Sequence, residues 1–131
     1  MTRFEKVEAV IARELAKPYV VGKSDCFLMG LRVATALGAK GIITQYAGRY
    51  STLKGAQRVL RRLGHKSLVT LMETHLEPCA PAMARMGDLV VLQVGSAEHL
   101  GVCLGARFLT KTERGPATYD ITAVTAAFRA G

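Results

Sequence analysis

The sequence indicates an α+β domain in which N-terminal helices pack on a small antiparallel β-sheet. Apolar residues recur at helical spacing through the first half of the chain. Short apolar runs separated by glycine-containing turns occupy the second half. Half of the 131 residues are hydrophobic, which is enough for one core, so we expect a single domain over residues 1–131.

Two helices are predicted at the N-terminus. The first follows Thr2 and ends near Lys17, because a proline comes next. The second starts after Ser24 or Asp25, either of which can cap it, and stops at Gly38. This second helix is apolar on nearly every side, which is typical of a central, buried helix.

The remaining predicted elements alternate with loops and turns. One more helix is expected before an irregular, proline-containing stretch, and the sheet is expected after it. These elements are a third helix at about 52–63, a turn at 95–98, strands at 88–94, 99–104, 107–110 and 118–121, and a short final helix at about 123–129.

The charge balance concerns partners rather than fold. A formal net charge of +8 makes nucleic acid, an anionic cell-surface polymer or an acidic protein face plausible as partners. The longest apolar stretch, 27–39, is interrupted by Arg32 and is shorter than the roughly 20 residues that span a bilayer, so no membrane span is predicted. Residues 1–17 are charged throughout and do not resemble a secretory signal. We therefore expect synthesis in a reducing cytosol.

Three cysteines without a CxxC motif do not predict a disulfide scaffold. We expect Cys103 to be a buried thiol in a strand and Cys79 to be a bystander. No compact spacing of ligands supports zinc, so neither a metal nor a cofactor is predicted. The side chains weighed for a zinc site are His65, His75, Cys79, His99 and Cys103.

Cys26 and His99 are the residues that carry candidate chemistry. Cys26 lies in the first turn of the buried helix, where unpaired N–H groups are expected to lower the thiol pKa and to supply half of an oxyanion hole. His99 opens a predicted strand and could accept the thiol proton. The alternative is that Cys26 is a small core residue and His99 a solvated polar one.

Three segments support catalysis through a resemblance. Residues 18–26 read PYVVGKSDC, 87–92 read GDLVVL and 99–105 read HLGVCLG. In this order they resemble the nucleophile segment and the histidine-bearing strands of the NlpC-type cysteine peptidases. The resemblance implies a papain-like α+β fold and cleavage of the peptide stems of bacterial peptidoglycan. It makes Cys26 the nucleophile and His99 the general base.

The same resemblance assigns supporting residues. Tyr19 matches a tyrosine that lies beside the nucleophile, and Tyr19 and Asp25 would serve the oxyanion or the substrate. The third catalytic residue, which orients the histidine, falls near Thr110, a weaker hydrogen-bond acceptor than the usual histidine, asparagine or glutamine. Phe27 and Leu28 stand where the family favours Ser-Gly. A structural protein that keeps the fold without activity is therefore the alternative.

The middle of the chain resembles a narrower group. Residues 48–56, GRYSTLKGA, and 60–64, LRRLG, are similar to NlpC-related proteins from phages, prophages and gene transfer agents. Members of that group lie among tail-assembly genes. The resemblance implies a location in the virion tail, tail or tail-tip proteins as partners, and delivery to the cell wall by the particle instead of by a signal peptide.

A basic stripe follows the spacing of one helical face. It predicts either a solvated surface or a docking face for an anionic partner. Nucleic acid is not favoured, because no aromatic residues are interleaved for stacking on bases. The basic stripe consists of Arg58, Arg61, Arg62, His65 and Lys66.

Overall fold

The computed structural model describes all of residues 1–131 and confirms the α+β class, with four α-helices and one six-stranded antiparallel sheet. The helices come first in the chain and the strands follow. The elements are α1 (Arg3–Leu15), α2 (Cys26–Ala36), α3 (Leu53–Arg62), α4 (Leu68–Glu73), β1 (Pro78–Cys79), β2 (Leu89–Val94), β3 (Ala97–Cys103), β4 (Phe108–Thr112), β5 (Gly115–Tyr119) and β6 (Val124–Phe128).

The first two helices begin where their capping residues predict. The Thr2 hydroxyl accepts from the N–H of Glu5, whose carboxylate accepts from the N–H of Thr2 in return, so a capping box starts α1. The Asp25 carboxylate accepts from the N–H of Leu28 and starts α2 at Cys26. These local bonds satisfy N–H groups that have no partner within the helix.

The C-terminal segment corrects the prediction, because the expected helix at about 123–129 is the strand β6. The strand order is β1-β6-β2-β3-β4-β5, so β6 lies between β1 and β2. The segment contains alanines, which favour helix, but it pairs with the otherwise free edge of β2. Tertiary pairing therefore outweighs local propensity here. The helix α4 and the two-residue strand β1 were also not predicted.

The hairpin between β2 and β3 is tighter than predicted. Val94 pairs with Ala97, so the turn contains only Gly95 and Ser96 instead of the expected 95–98. Gly95 has a φ of +60°, a value that glycine adopts without strain.

Two clusters of buried side chains lie on opposite faces of the sheet. The main core packs between the helices and one face of the sheet, and α2 supplies five side chains to it. Gly30 lets α2 approach β3 closely, since a Cβ at that position would lie 2.6 Å from Leu100 Cδ2. The second core covers the other face of the sheet and consists of Val90, Leu92, Cys103, Phe108 and Ala127.

A buried carboxylate joins both ends of the chain to the sheet. Asp88, directly before β2, has no exposed side-chain surface and forms ion pairs with Arg3 at 2.9 Å and Arg129 at 3.1 Å. It also accepts from the N–H groups of Arg85 and Ala130. Because the carboxylate has four donors, its burial is compensated.

No helix of this chain has both the length and the apolar character needed to cross a membrane.

Candidate active site

Cys26 is the first residue of α2 and is half-buried. The Asp25 cap takes up the N–H of Leu28, while the N–H of Cys26 has no backbone or side-chain acceptor. This N–H belongs to the same residue as the sulfur and is free to donate to an oxyanion.

The strands β3 and β4 pair only at Val102–Leu109 and Cys103–Phe108. Beyond that point the Leu100 carbonyl accepts from the Thr110 hydroxyl at 2.9 Å. The N–H of Leu100 and the Thr110 hydroxyl both act on the Cys26 thiol in favour of its charged form. The Thr110 hydroxyl therefore provides a hydrogen bond between the strands where backbone pairing has ended.

The predicted depression of the thiol pKa is wrong. Burial raises the pKa of Cys26, and the charge of Asp25 raises it further. Contacts with the N–H of Leu100, the Thr110 hydroxyl and the N–H of Phe27 act in the opposite direction without reversing the result. The helix terminus is present as predicted, but desolvation of the thiolate outweighs its field.

His99 lies in β3 and is not hydrogen-bonded to Cys26. It pairs with Leu92 in the sheet, so the histidine side chain projects from the face of the second core, whereas Leu100 faces α2. Burial lowers the pKa of His99, which keeps the imidazole neutral at neutral pH. His99 is one residue along β3 from Leu100, whose N–H contacts the sulfur.

Asp25 is the centre of a hydrogen-bond network around the nucleophile segment. One oxygen, Oδ1, accepts from the N–H of Leu28 at 2.8 Å. The other, Oδ2, accepts from the N–H of Gly22 at 2.8 Å and from the Tyr50 hydroxyl at 2.7 Å. The carboxylate is buried, and these three donors compensate for the loss of water.

Two tyrosines flank this network. Tyr19 is half-buried, and its pKa is raised by burial and by the neighbouring Cys26 and Asp25, so the phenol stays protonated as a donor. Tyr50 lies within the 48–56 block, and the sequence left open whether it lines the substrate cleft or belongs to a packed loop. Burial and the charge of Asp25 raise the pKa of Tyr50 in the same way.

Lys111 links the segment 18–26, which precedes and includes Cys26, to α1 through hydrogen bonds. Its buried Nζ donates to the carbonyl oxygens of Glu14 at 2.6 Å and Lys17 at 3.0 Å and to the Ser24 hydroxyl at 2.5 Å. Thr110, its neighbour on β4, has the opposite orientation and reaches Leu100. The adjacent residues Thr110 and Lys111 thus point to opposite faces of β4, and each forms hydrogen bonds on its own side.

The basic stripe is only partly one surface. The helix α3 ends at Arg62, and Gly64 turns the chain with a φ of +85°. Beyond this turn the His65 ring is hydrogen-bonded to the Thr70 hydroxyl. The exposed basic face of α3, none of whose members forms an ion pair, consists of Lys54, Arg58, Arg61 and Arg62; Lys66 is exposed outside the helix.

The cysteines and histidines weighed for zinc do not gather into a group of three or more possible ligands. Cys103 is buried in β3, as predicted, and Cys79 is half-buried in β1. All three thiols are free.

Comparison with known proteins places this arrangement in a family without assigning it an activity. No curated protein matches the sequence. One family matches nearly the whole length, over residues 2–130, and is described as a domain of unknown function. The chain therefore belongs to the DUF6950 family.

Proposed function

We propose that this protein is a cysteine peptidase that hydrolyses peptide stems of bacterial peptidoglycan, with a papain-like fold of the NlpC type. The observation that carries the proposal is the position of Cys26 at the start of α2, with its sulfur against the backbone N–H of Leu100. His99 precedes Leu100 in β3, and Tyr19 lies beside the thiol. The resemblance of the segments 18–26, 87–92 and 99–105 to that family supports the same assignment.

In the proposed mechanism both reacting groups start neutral. The lowered pKa of His99 and the raised pKa of Cys26 favour imidazole and thiol over an ion pair. The mechanism requires the imidazole of His99, which projects from the face of the second core, to reach the thiol. His99 then accepts the thiol proton as sulfur attacks the amide carbon, and the N–H of Cys26 stabilises the oxyanion. The imidazolium then protonates the leaving amine. Water hydrolyses the thioester, with His99 as base, and regenerates the thiol.

Thr110 has a positioning role in this proposal. Its hydroxyl holds the carbonyl of Leu100 and so fixes the backbone next to His99. The Thr110 hydroxyl donates its proton to Leu100 and is not hydrogen-bonded to His99, so the expected direct bond to the imidazole is not formed.

The direct test is release of muropeptides from purified peptidoglycan. We expect release by the wild type and a loss of about a thousandfold or more with Cys26→Ala or His99→Ala, because each substitution removes a reacting group. The acid limb of kcat/KM should lie below pH 6.5, since the pKa of His99 is lowered from that value and activity rises as the imidazole deprotonates.

Cys79→Ser is the matched control, because it removes a half-buried thiol far along the chain from α2. We expect this variant to retain wild-type release. Equal release by the wild type and Cys26→Ala would refute the peptidase.

A second candidate is an adaptor protein of a phage tail tip that keeps the fold without catalysis. The exposed, unpaired basic face of α3 favours it, since a charged surface without internal partners is available for an acidic protein. The raised pKa of Cys26 is also compatible with an inactive thiol. An adaptor needs the basic face and not the thiol, so Cys26→Ala would leave it intact.

Both candidates are compatible with a location in the virion tail. The resemblance of residues 48–56 and 60–64 to phage, prophage and gene-transfer-agent proteins supports this location. Particle delivery would bring a cytoplasmically made protein to the cell wall.

A further inference from the structure

We propose that Tyr50 is a positioning residue for Cys26, and that it acts by holding the Asp25 carboxylate in the cap of α2 and screening its charge from the thiol. The proposal deepens the proposed function, because it assumes that the state of the Cys26 thiol matters. Its chemistry, however, is measurable on the protein alone.

The geometry links the Tyr50 loop to the nucleophile through one carboxylate. The Tyr50 hydroxyl donates to Oδ2 of Asp25 at 2.7 Å, while Oδ1 caps the helix that begins with Cys26. Tyr50 also touches the segment from a second side, since a Cβ at Gly22 would overlap the Tyr50 carbonyl oxygen. The backbone of the Tyr50 loop therefore packs against the turn at Gly22, while the Tyr50 hydroxyl is hydrogen-bonded to Asp25.

The electrostatic consequence follows from the position of Asp25. A carboxylate adjacent to a thiol disfavours the thiolate, and every donor that takes up its charge weakens that effect. Tyr50 provides the one side-chain donor to Asp25, and the other two donors are backbone N–H groups. Removing the hydroxyl should therefore leave more negative charge facing the sulfur.

The other groups that act on the thiol or on its neighbours are the same in all variants. Tyr19 and Thr110 interact with Cys26 itself, whereas Lys111 interacts with Asp25, and Glu113 interacts with Tyr19. His99 is the base of the proposed mechanism. A difference between matched variants can thus be attributed to Tyr50 and Asp25.

The experiment measures the pH profile of alkylation of Cys26 by iodoacetamide. Trypsin releases residues 24–32 as one peptide containing only this cysteine, so mass spectrometry reads its modification separately from Cys79 and Cys103. The midpoint of each profile reports the thiolate, independently of accessibility, because the rate is normalised to its plateau at high pH.

With Tyr50→Phe we expect the midpoint to rise. At any pH below the midpoint, the thiolate fraction should then be smaller than in the wild type by a factor of about three or more. With Asp25→Asn, which keeps a good capping residue, the midpoint should fall. In the double variant Tyr50→Phe/Asp25→Asn the midpoint should equal that of Asp25→Asn, because the hydroxyl acts through the charge. A merely structural role for Tyr50 would not depend on the charge of Asp25.

Tyr119→Phe is the control, since it removes a hydroxyl on β5, and its midpoint should equal that of the wild type. An unchanged midpoint in Tyr50→Phe, or a shift that persists in the Asp25→Asn background, would overturn the proposal. If Tyr50→Phe does not fold, an unchanged midpoint in Asp25→Asn alone overturns it. The proposed function fails separately, through equal muropeptide release by the wild type and Cys26→Ala.

Discussion

Opposing influences act on the thiol of Cys26. The start of α2 and the N–H of Leu100 favour the thiolate, whereas burial and the Asp25 carboxylate favour the thiol. Because the second pair prevails, the proposed peptidase would need a base, for which the neutral imidazole of His99 is the candidate. The same balance is the basis for the proposed effect of Tyr50 on the thiol.

Glu14 gives a prediction for acid stability at the scale of one residue. Its side chain is buried in α1 and paired with Lys17 at 2.8 Å and Arg32 at 2.6 Å. Although burial acts to raise its pKa, these two partners hold it below the usual 4.5. A carboxyl whose pKa is lowered by folding stabilises the protein above pH 4.5, and this contribution disappears as the pH falls through the folded-state pKa.

We therefore expect Glu14→Gln to lower the free energy of unfolding by about 1–3 kcal/mol at pH 7. The difference from the wild type should shrink below pH 4.5. Urea denaturation at a series of pH values measures both. The exposed Glu8 on the same helix is the control, and Glu8→Gln should change little. A difference that stays constant down to pH 2 would contradict the assignment to Glu14.

At the scale of elements, the turn before α2 decides where the nucleophile lies. Residues Val20 and Ser24 form an isolated β-bridge, and Gly22 between them has a φ of +87°. Three contacts meet at this turn: the Asp25 cap, the Lys111 amine and the Tyr50 loop. The turn is thus held from the start of α2, from β4 and from the loop before α3.

Gly22→Ala tests how tightly the turn before α2 packs against the Tyr50 loop. A methyl group there would meet the Tyr50 carbonyl oxygen, in addition to straining a left-handed backbone. Gly48→Ala is matched in backbone, with a φ of +77°, but has nothing within 4 Å of the new methyl. We expect Gly48→Ala to cost about 1–2 kcal/mol of unfolding free energy and Gly22→Ala at least about 1 kcal/mol more.

Thermal and urea denaturation of the two variants provide the comparison. Equal losses of stability would show that the contact between the turn and the Tyr50 loop is not tight. Slower alkylation of Cys26 in Gly22→Ala alone would show that the turn also positions the nucleophile.

For the whole molecule, the distribution of charge is uneven along the chain. Every carboxylate lies before residue 26 or after residue 72, whereas the segment between them contains only cationic charged side chains. The net charge of +8 therefore belongs to this segment. The ion pairs involve Glu14 and Asp88, which lie outside it, so the basic face of α3 is left without a partner.

Reversing charges on the basic face of α3 distinguishes an effect on partner binding from an effect on stability. We expect Arg58→Glu/Arg61→Glu to change the unfolding free energy by less than about 0.5 kcal/mol, because both side chains are exposed and unpaired. Binding to an immobilised poly-glutamate surface at low salt should weaken more than tenfold. The control is Lys6→Glu/Arg114→Glu, which changes the net charge equally at exposed positions outside the segment. Equal weakening in both double variants would argue against a localised docking face.

Local signals along the chain are enough to specify several features. The capping residues Thr2, Asp25 and Thr52 start α1, α2 and α3 through bonds to residues three positions away. Such contacts are encoded in a few consecutive residues, which is why the position of Cys26 at a helix start could be predicted. The burial of Cys103 was predicted, but in the structure it comes from the second core, because β3 is covered on both faces from Leu100 to Cys103.

Long-range contacts account for the features that the sequence could not reveal. The segment of β6 becomes a strand because the edge of β2 is available 34 residues earlier, at Val91 and Thr125. The thiol of Cys26 loses its predicted activation because β3 and β4 cover it. Tyr50 reaches Asp25 across 25 residues of chain. Each of these three features depends on contacts between segments that are distant in sequence. Local propensity contains no information about such contacts.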